Sequence, residues 1–436
     1  MKLLVLCAVC VPLGALQAVS AQTVGVTRKH VSSDPAAREL NRLLAAAQEA
    51  VDQKDYATAA QKYQDYLAKK PNDAIVHYDL GYAYTAMQRP ADAKAEYEKA
   101  ISLDSKMAPA YLNLGLTLLA SDPGAAVEPL QHAVELMPEE GRPLFLLGAA
   151  LERSGKLGAA IERYEAAEKL DHRDFDIHFS LGRALLNAQR APEAERAFRS
   201  ALVSRPEASE ARLGLAQSLL AEKKLEAAAA ELGAYLVAQP NDASARVERA
   251  GALVDTGRLD EALAELDRAA ATGAEGLRAL ELRSQIYFAE KRYADAVPAL
   301  QKAAAIAPGD KDIPALLGHA YLEAKNYPDA LRELNAAYRM DPNANDVLGD
   351  LVLAEYNNRH YAEALDALEL LSKRKELPPE SWFIRAACYD KLGQPAQALE
   401  AYQRFLQLNK DENSDMYFES ASRVRALSRE VRKKGR

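Results

Sequence analysis

Between about residues 40 and 412 the chain repeats one arrangement of apolar and polar positions. An apolar stretch with helical spacing is followed by a short polar break and then a second such stretch. The segment LGYAYTAMQRPADAKAEYEKA, Leu80 to Ala100, shows the unit: two helices with a Pro-bearing break between them. Gly81 lies inside the first helix, where a glycine costs roughly 1 kcal/mol relative to alanine. The same arrangement returns at LGLTLLASDPGAAVEPLQHA, Leu114 to Ala133, so that cost is tolerated for a reason.

The reason is a period. The small residue recurs at Gly81, Gly115, Gly148, Gly182, Ala216, Ala250, Ser284 and Gly318, then as Val352 and Ala386, in steps of 34 with one of 33. In the second helix an alanine recurs at Ala59, Ala93, Ala126, Ala160, Ala194, Ala228, Ala262, Ala296, Ala330, Ala364 and Ala398. Such register across an alanine-rich chain identifies tandem repeats. Two helices of a hairpin approach closely where each offers a hydrogen or a methyl group. Larger residues flank that crossing: Tyr84, Leu118, Leu151, Leu185, Tyr287, Tyr321 and Tyr389 on the first helix. Tyr63, Tyr97, Tyr164, Phe198, Leu300, Leu334 and Tyr402 lie one turn after the alanine on the second. Pro71, Pro138, Pro206, Pro240, Pro308 and Pro342 close second helices, and the PND triplets at Pro71 and Pro240 offer N-caps to the next helix. The short step falls in the turn ASDPGAA, where a deletion disturbs least.

This pattern resembles the tetratricopeptide repeat, and SWFIRAACYDKLGQPAQALEAYQRFL, from Ser381 to Leu406, is its closest copy. The resemblance implies an all-α fold, a right-handed superhelical solenoid of tandem helix-turn-helix repeats with a C-terminal capping helix. Eleven repeats are predicted at 40–73, 74–107, 108–140, 141–174, 175–208, 209–242, 243–276, 277–310, 311–344, 345–378 and 379–412. Residues 22–39 read as a flexible lead-in and 413–436 as a basic capping helix. Arg249, Arg283 and Arg385 stand where leucine is usual, positions an arginine satisfies by laying its stem on apolar surface. The tenth repeat carries Val352 for the small residue and Glu355 for the aromatic, which predicts looser packing or a bend.

The resemblance also implies a groove lined by the first helices, where a segment or helix of a partner protein docks. Its positions in repeats two to five include Tyr78, Tyr82, Leu112, Asn113, Leu116, Phe145, Phe179, Arg183 and Asn187. Glu248, Asp255, Glu281, Glu323, Asp346, Asp350 and Asp390 make the comparable positions of the later repeats acidic. Some members of the family grip a C-terminal carboxylate with a Lys/Asn clamp. Asn113 matches one clamp position, but Tyr78 and Tyr82 replace the lysines, so that mode is not expected.

Composition narrows the function classes. A net charge of -8 argues against a general nucleic-acid binder. The opening MKLLVLCAVCVPLGALQAVSAQ has a basic start, an apolar run and small residues at Val19 and Ala21, which predicts a signal peptide over 1–21 and an exported, periplasmic or secreted, mature chain. Leu6 and Val9 precede Cys7 and Cys10 where a lipobox needs a small residue. Cleavage after Ala21 leaves Cys388 alone, unable to form an internal disulfide. No phosphate loop, nucleophile elbow or zinc spacing appears, so no catalytic, cofactor or metal residue is assigned and no enzymatic activity is expected. HRDFDIH, His172 to His178, is the only carboxylate-rich His pair, and it spans a turn and a helix start.

The last helix carries a stripe of Tyr417, Ala421, Val424, Leu427 and Val431. Its other face presents Arg423, Arg425, Arg429, Arg432, Lys433, Lys434 and Arg436 against a single Glu430. It reads as a cap that keeps the end of the array soluble, or as a contact for an anionic membrane or polymer. The function expected is a protein-binding scaffold, with a structural part of an envelope assembly or polysaccharide-export machine as the alternative.

Overall fold

The computed structural model describes residues 34–273 and 275–434, and all their regular elements are helices. The predicted signal segment and most of the lead-in lie outside the described residues. The chain divides into two compact units, Met1–Ala238 and Gln239–Arg436.

Unit 1 holds six helical hairpins: α1 (Pro35–Asp52) with α2 (Tyr56–Leu67), α3 (Ala74–Ala86) with α4 (Pro90–Leu103), and α5 (Ala108–Leu119) with α6 (Pro123–Leu136). They continue as α7 (Gly141–Arg153) with α8 (Leu157–Leu170), α9 (Phe175–Asn187) with α10 (Ala191–Ser204), and α11 (Ser209–Ala221) with α12 (Leu225–Ala238). Unit 2 holds α13 (Ala243–Asp255) with α14 (Leu259–Ala271), α15 (Leu277–Ala289) with α16 (Tyr293–Ile306), and α17 (Asp312–Glu323) with α18 (Tyr327–Met340). It ends with α19 (Asn345–Asn357) and α20 (Tyr361–Ser372), α21 (Pro379–Lys391) and α22 (Pro395–Leu408), and the terminal helix α23 (Asp415–Lys434).

The glycine question has a direct answer. A Cβ on Gly81 would lie 2.8 Å from the Tyr97 ring, and one on Gly148 would lie 2.7 Å from the Tyr164 ring. Phe198 fills the space over two glycines: a Cβ on Gly182 would meet it at 3.0 Å and one on Gly214 at 2.4 Å. The missing side chain therefore makes room for a large side chain of the second helix, a ring in these hairpins and a leucine at Gly115 and Gly318, where Leu130 and Leu334 take the space; Tyr97 and Tyr164 are fully buried.

Ten of the eleven hairpin turns place one residue in the left-handed region, with φ between 57° and 78°. Three of these are Gly155, Gly257 and Gly393; the others include Lys54, Lys223 and Arg359, which bear a steric cost there. The exception is the third hairpin, the one shortened by a residue. There Asp122 caps the second helix directly, accepting the Ala125 N–H at 3.0 Å.

One expectation is corrected. Helix α1 begins at Pro35, inside the predicted lead-in, because Asp34 accepts the Ala36 N–H at 3.0 Å and Pro35 supplies a helical φ. The tenth repeat is the more loosely packed hairpin that the sequence suggests: α19 and α20 pack together less closely than the two helices of any other hairpin, although Val352 and Leu368 at the crossing are both buried. The two PND triplets also differ. Asp242 caps α13 through the Ala245 N–H at 3.0 Å, whereas Asp73 takes the Tyr66 hydroxyl at 2.8 Å and Lys70 at 2.9 Å.

Helix α23 covers the end of unit 2 as the stripe predicts. Leu427 is buried, with Val424 beside it, in a cluster with Ala398 and Tyr402 of α22. Arg423 donates two hydrogen bonds of 2.6 Å to Asp390, which removes Asp390 from the acidic surface expected of the late repeats. No described helix is long and apolar enough to cross a membrane.

Candidate functional site

The first helices α3, α5, α7 and α9 contact one another in succession, each meeting the first helix of the next hairpin. The structure separates the positions singled out on them into two groups. Tyr78, Leu112 and Asn113 are buried, and Asn113 donates from Nδ2 to the Tyr78 hydroxyl at 3.0 Å. Tyr78 also packs its ring 5.8 Å from that of Tyr97. These three hold successive hairpins together and cannot meet a partner without unpacking the core, so they are withdrawn from the candidate surface. The clamp position Asn113 is thus occupied by a structural hydrogen bond.

The remainder stays accessible. Tyr82 is half-buried, edge-on to Tyr56 with centroids 6.3 Å apart. Leu116 is partly buried, and Asn187 is exposed. Phe145 rests against Tyr164 at 5.9 Å, while Phe179 lies parallel to Phe175 at 5.6 Å and crosses Phe198 at 6.0 Å. Each ring has one side on the core and one side outward. Arg183 is pinned: it donates to both oxygens of Glu152 at 3.0 and 3.2 Å, and Glu152 also accepts the Tyr164 hydroxyl at 2.8 Å. Its guanidinium, fixed between repeats, offers the face an oriented cation.

Asp79 on α3 was not singled out by the sequence. Burial, reinforced by the Asp73 charge, pushes its carboxyl up to about 7. A polar residue interrupting an apolar helical stretch was the available signal.

Unit 2 is built with more charge. Glu265 of α14 is buried and takes Arg246 at 2.5 Å, Arg249 at 2.6 Å and Arg268 at 2.7 Å. Arg249 is therefore an ion-pair partner as well as an apolar stem. Arg283 likewise meets Asp267 at 2.7 Å, and Arg385 lies 4.9 Å over the Trp382 ring. Among the expected acidic positions, Asp255, Glu323 and Asp346 are exposed. Glu281 meets Arg278 at 3.3 Å, and Asp350 meets His319 at 2.9 Å. Glu248 is largely enclosed, and burial, with the Asp242 charge, raises its pKa.

Of the His pair in HRDFDIH, His178 is buried and His172 is exposed, lending only its carbonyl. His178 directs Nε2 at that carbonyl at 3.0 Å and holds Nδ1 3.1 Å from Glu168, while Asp174 caps α9. Cys388 is buried, which pushes its thiol up to about 12, far from a reactive thiolate.

Comparison with known proteins agrees with the repeat pattern. Tetratricopeptide repeat models match residues 50–115, 179–243, 247–311, 287–343, 316–371 and 379–412, and a TPR repeat model matches 148–189. No curated protein matches the chain. Among solved structures, YrrB, described as a TPR protein with an unusual peptide-binding site, is 23% identical over 43% of this chain and 97% of its own, with a TM-score of 0.40. PilF of Pseudomonas aeruginosa is 24% identical over 48% of this chain and 94% of its own, with a TM-score of 0.38. Yeast Tom70 is 12% identical over 91% of this chain and 97% of its own, with a TM-score of 0.33.

Proposed function

Because the chain belongs to the tetratricopeptide repeat family, whose hairpin arrays generally serve as protein-interaction modules, we propose that it is an exported, non-enzymatic scaffold. It holds an extended segment or helix of a partner protein on the first-helix face of unit 1. The observation that carries this reading is the row of half-buried rings at Tyr82, Phe145 and Phe179, with Arg183 fixed beside them. Rings with one face on the core and one outward lose little entropy on binding and bury large area, the properties of interface anchors. Export rests on the basic, apolar and small-residue order of residues 1–21.

The test is capture from native envelope extract by wild type and by the triple variant Tyr82→Ala/Phe145→Ala/Phe179→Ala, read by mass spectrometry after circular dichroism has shown both folded. A partner retained by wild type and lost by the variant supports the reading. Equal retention by both sinks it. N-terminal sequencing of the protein released by osmotic shock tests export: a start at Gln22 is expected, and an intact Met1 in the cytosol contradicts it.

A further inference from the structure

Unit 2 carries a second surface of different chemistry, on the equivalent face of its own first helices. On α17, Leu316, His319 and Glu323 follow at helical spacing along one side, and Asp350 and Leu353 do so on α19. Both leucines are exposed, at 40% and 38%. His319 joins three helices. Its Nδ1 donates to Asp350 at 2.9 Å, its ring stacks on Phe288 of α15 at 5.9 Å, and Tyr293 of α16 meets it edge-on at 5.9 Å.

We infer that this face is a docking surface for a basic amphipathic segment of a partner protein, with His319 holding Asp350 in the free protein and yielding it to a lysine or arginine of that segment. Charge complementarity selects the occupant. Glu323 is exposed and Asp350 partly so, beside two exposed leucines, so a segment with cations and apolar residues one helical turn apart matches both features. Phe288 offers the same cation a ring face.

The latch makes docking depend on pH. The groups facing the imidazole are Asp350 from α19 and Glu323 from its own helix, with the rings of Phe288 and Tyr293 from α15 and α16. The Asp350 hydrogen bond raises the His319 pKa above its ordinary value, against the lowering effect of burial. While His319 is charged, Asp350 already has its cation. As pH rises through the His319 pKa, the imidazole loses its charge and Asp350 gains attraction for a competitor. Docking therefore strengthens toward alkaline pH.

The experiment uses the full chain and a fluorescent amphipathic helix of leucine and lysine, with a leucine–glutamate helix of the same pattern as control probe, read by anisotropy. Expected is binding of the lysine probe alone. It should weaken about tenfold in Glu323→Gln/Asp350→Asn and also in Leu316→Ala/Leu353→Ala. It should stay unchanged in Glu98→Gln/Glu162→Gln, which removes as much charge from exposed second-helix positions of unit 1. From pH 6 to pH 8 the wild type should tighten about threefold, and His319→Ala should flatten that profile. The Tyr82/Phe145/Phe179 variant should bind the probe normally, so failure here is distinguishable from failure of the unit 1 surface. Equal weakening in the Glu98/Glu162 control, indifference to the leucine pair, or a pH profile that His319→Ala leaves unchanged would overturn the inference. Sedimentation showing that the free chain self-associates through these carboxylates would also overturn it, by assigning the face to Arg425, Arg429 and Arg432 on α23 of a second copy.

Discussion

The two units solve one backbone problem with different side chains. In unit 1 three hairpins press an aromatic ring onto a glycine: Tyr97 on Gly81, Tyr164 on Gly148 and Phe198 on Gly182. In unit 2 the corresponding positions of three hairpins pair Ala250 with Leu266, Ser284 with Leu300 and Val352 with Leu368. Unit 2 also holds a carboxylate among three arginines, which has no counterpart in the first four hairpins. The helical hairpin thus tolerates exchange of volume across the crossing, and what the exchange alters is the surface. On the first helices, Tyr82, Phe145 and Phe179 emerge half-buried in unit 1, while unit 2 adds the exposed carboxylates Asp255, Glu323 and Asp346 and the exposed Leu316 and Leu353 to half-buried rings of its own.

The largest expected effect lies in the charged core. Glu265→Ala strands Arg246, Arg249 and Arg268 around an uncompensated site and should destabilise unit 2 by about 3–5 kcal/mol. Hydrogen exchange of α13 and α14 measures it locally, and a loss below about 1 kcal/mol would show that the cluster is solvated and that the contrast with unit 1 is cosmetic.

Next comes the crossing itself. Gly148→Val forces methyl groups into the Tyr164 ring and should cost about 1–3 kcal/mol or more, read as accelerated exchange of α7 and α8. Ala250→Gly in unit 2 should cost only roughly 1 kcal/mol, the helix-propensity difference. Similar costs for the two would erase the distinction between a ring-filled and a leucine-filled crossing.

These pairings were readable in the chain because the 34-residue step brings every Gly or Ala into register with the ring or leucine one turn after the second-helix alanine. The accessible face was only partly readable. Tyr78 and Phe145 occupy the same repeat position, yet Tyr78 is buried and Phe145 is half-exposed. The difference is made by Asn113, 35 residues from Tyr78, which ties its hydroxyl into the next hairpin. Asp350 was legible as an acidic position, but its pairing with His319, 31 residues earlier, depends on how two hairpins stack. Contacts inside a hairpin follow from sequence spacing; contacts between first helices depend on the side chains that happen to meet there.

A smaller effect concerns pH. Burial pushes the Asp79 carboxyl up to about 7, well above the ordinary carboxylate range, so the folded state binds the extra proton between those values. Its contribution is fully present below the unfolded pKa and is lost as pH rises through about 7, so unit 1 weakens toward alkaline pH. Asp79→Asn keeps the shape without the charge and should gain roughly 2 kcal/mol at pH 8 while removing the slope. Thermal melts of both proteins at pH 5 and pH 8 read it; parallel pH profiles would contradict the burial of that carboxyl.

The smallest effect is at the turns. Lys223→Gly relieves a left-handed backbone at a position where Gly155 and Gly257 already serve in neighbouring repeats, and should stabilise by about 0.5–1 kcal/mol. A loss of stability would mean that the added backbone freedom of glycine outweighs the relieved strain.

Whether the two units offer partners chemically different faces is decided by parallel capture from native extract with three folded proteins. These are wild type, Tyr82→Ala/Phe145→Ala/Phe179→Ala and Glu323→Gln/Asp350→Asn, compared at low and high salt. Each variant should lose its own set of proteins, the unit 2 set being basic and released by salt. The same set retained by all three, or the same set lost by both variants, would contradict that difference.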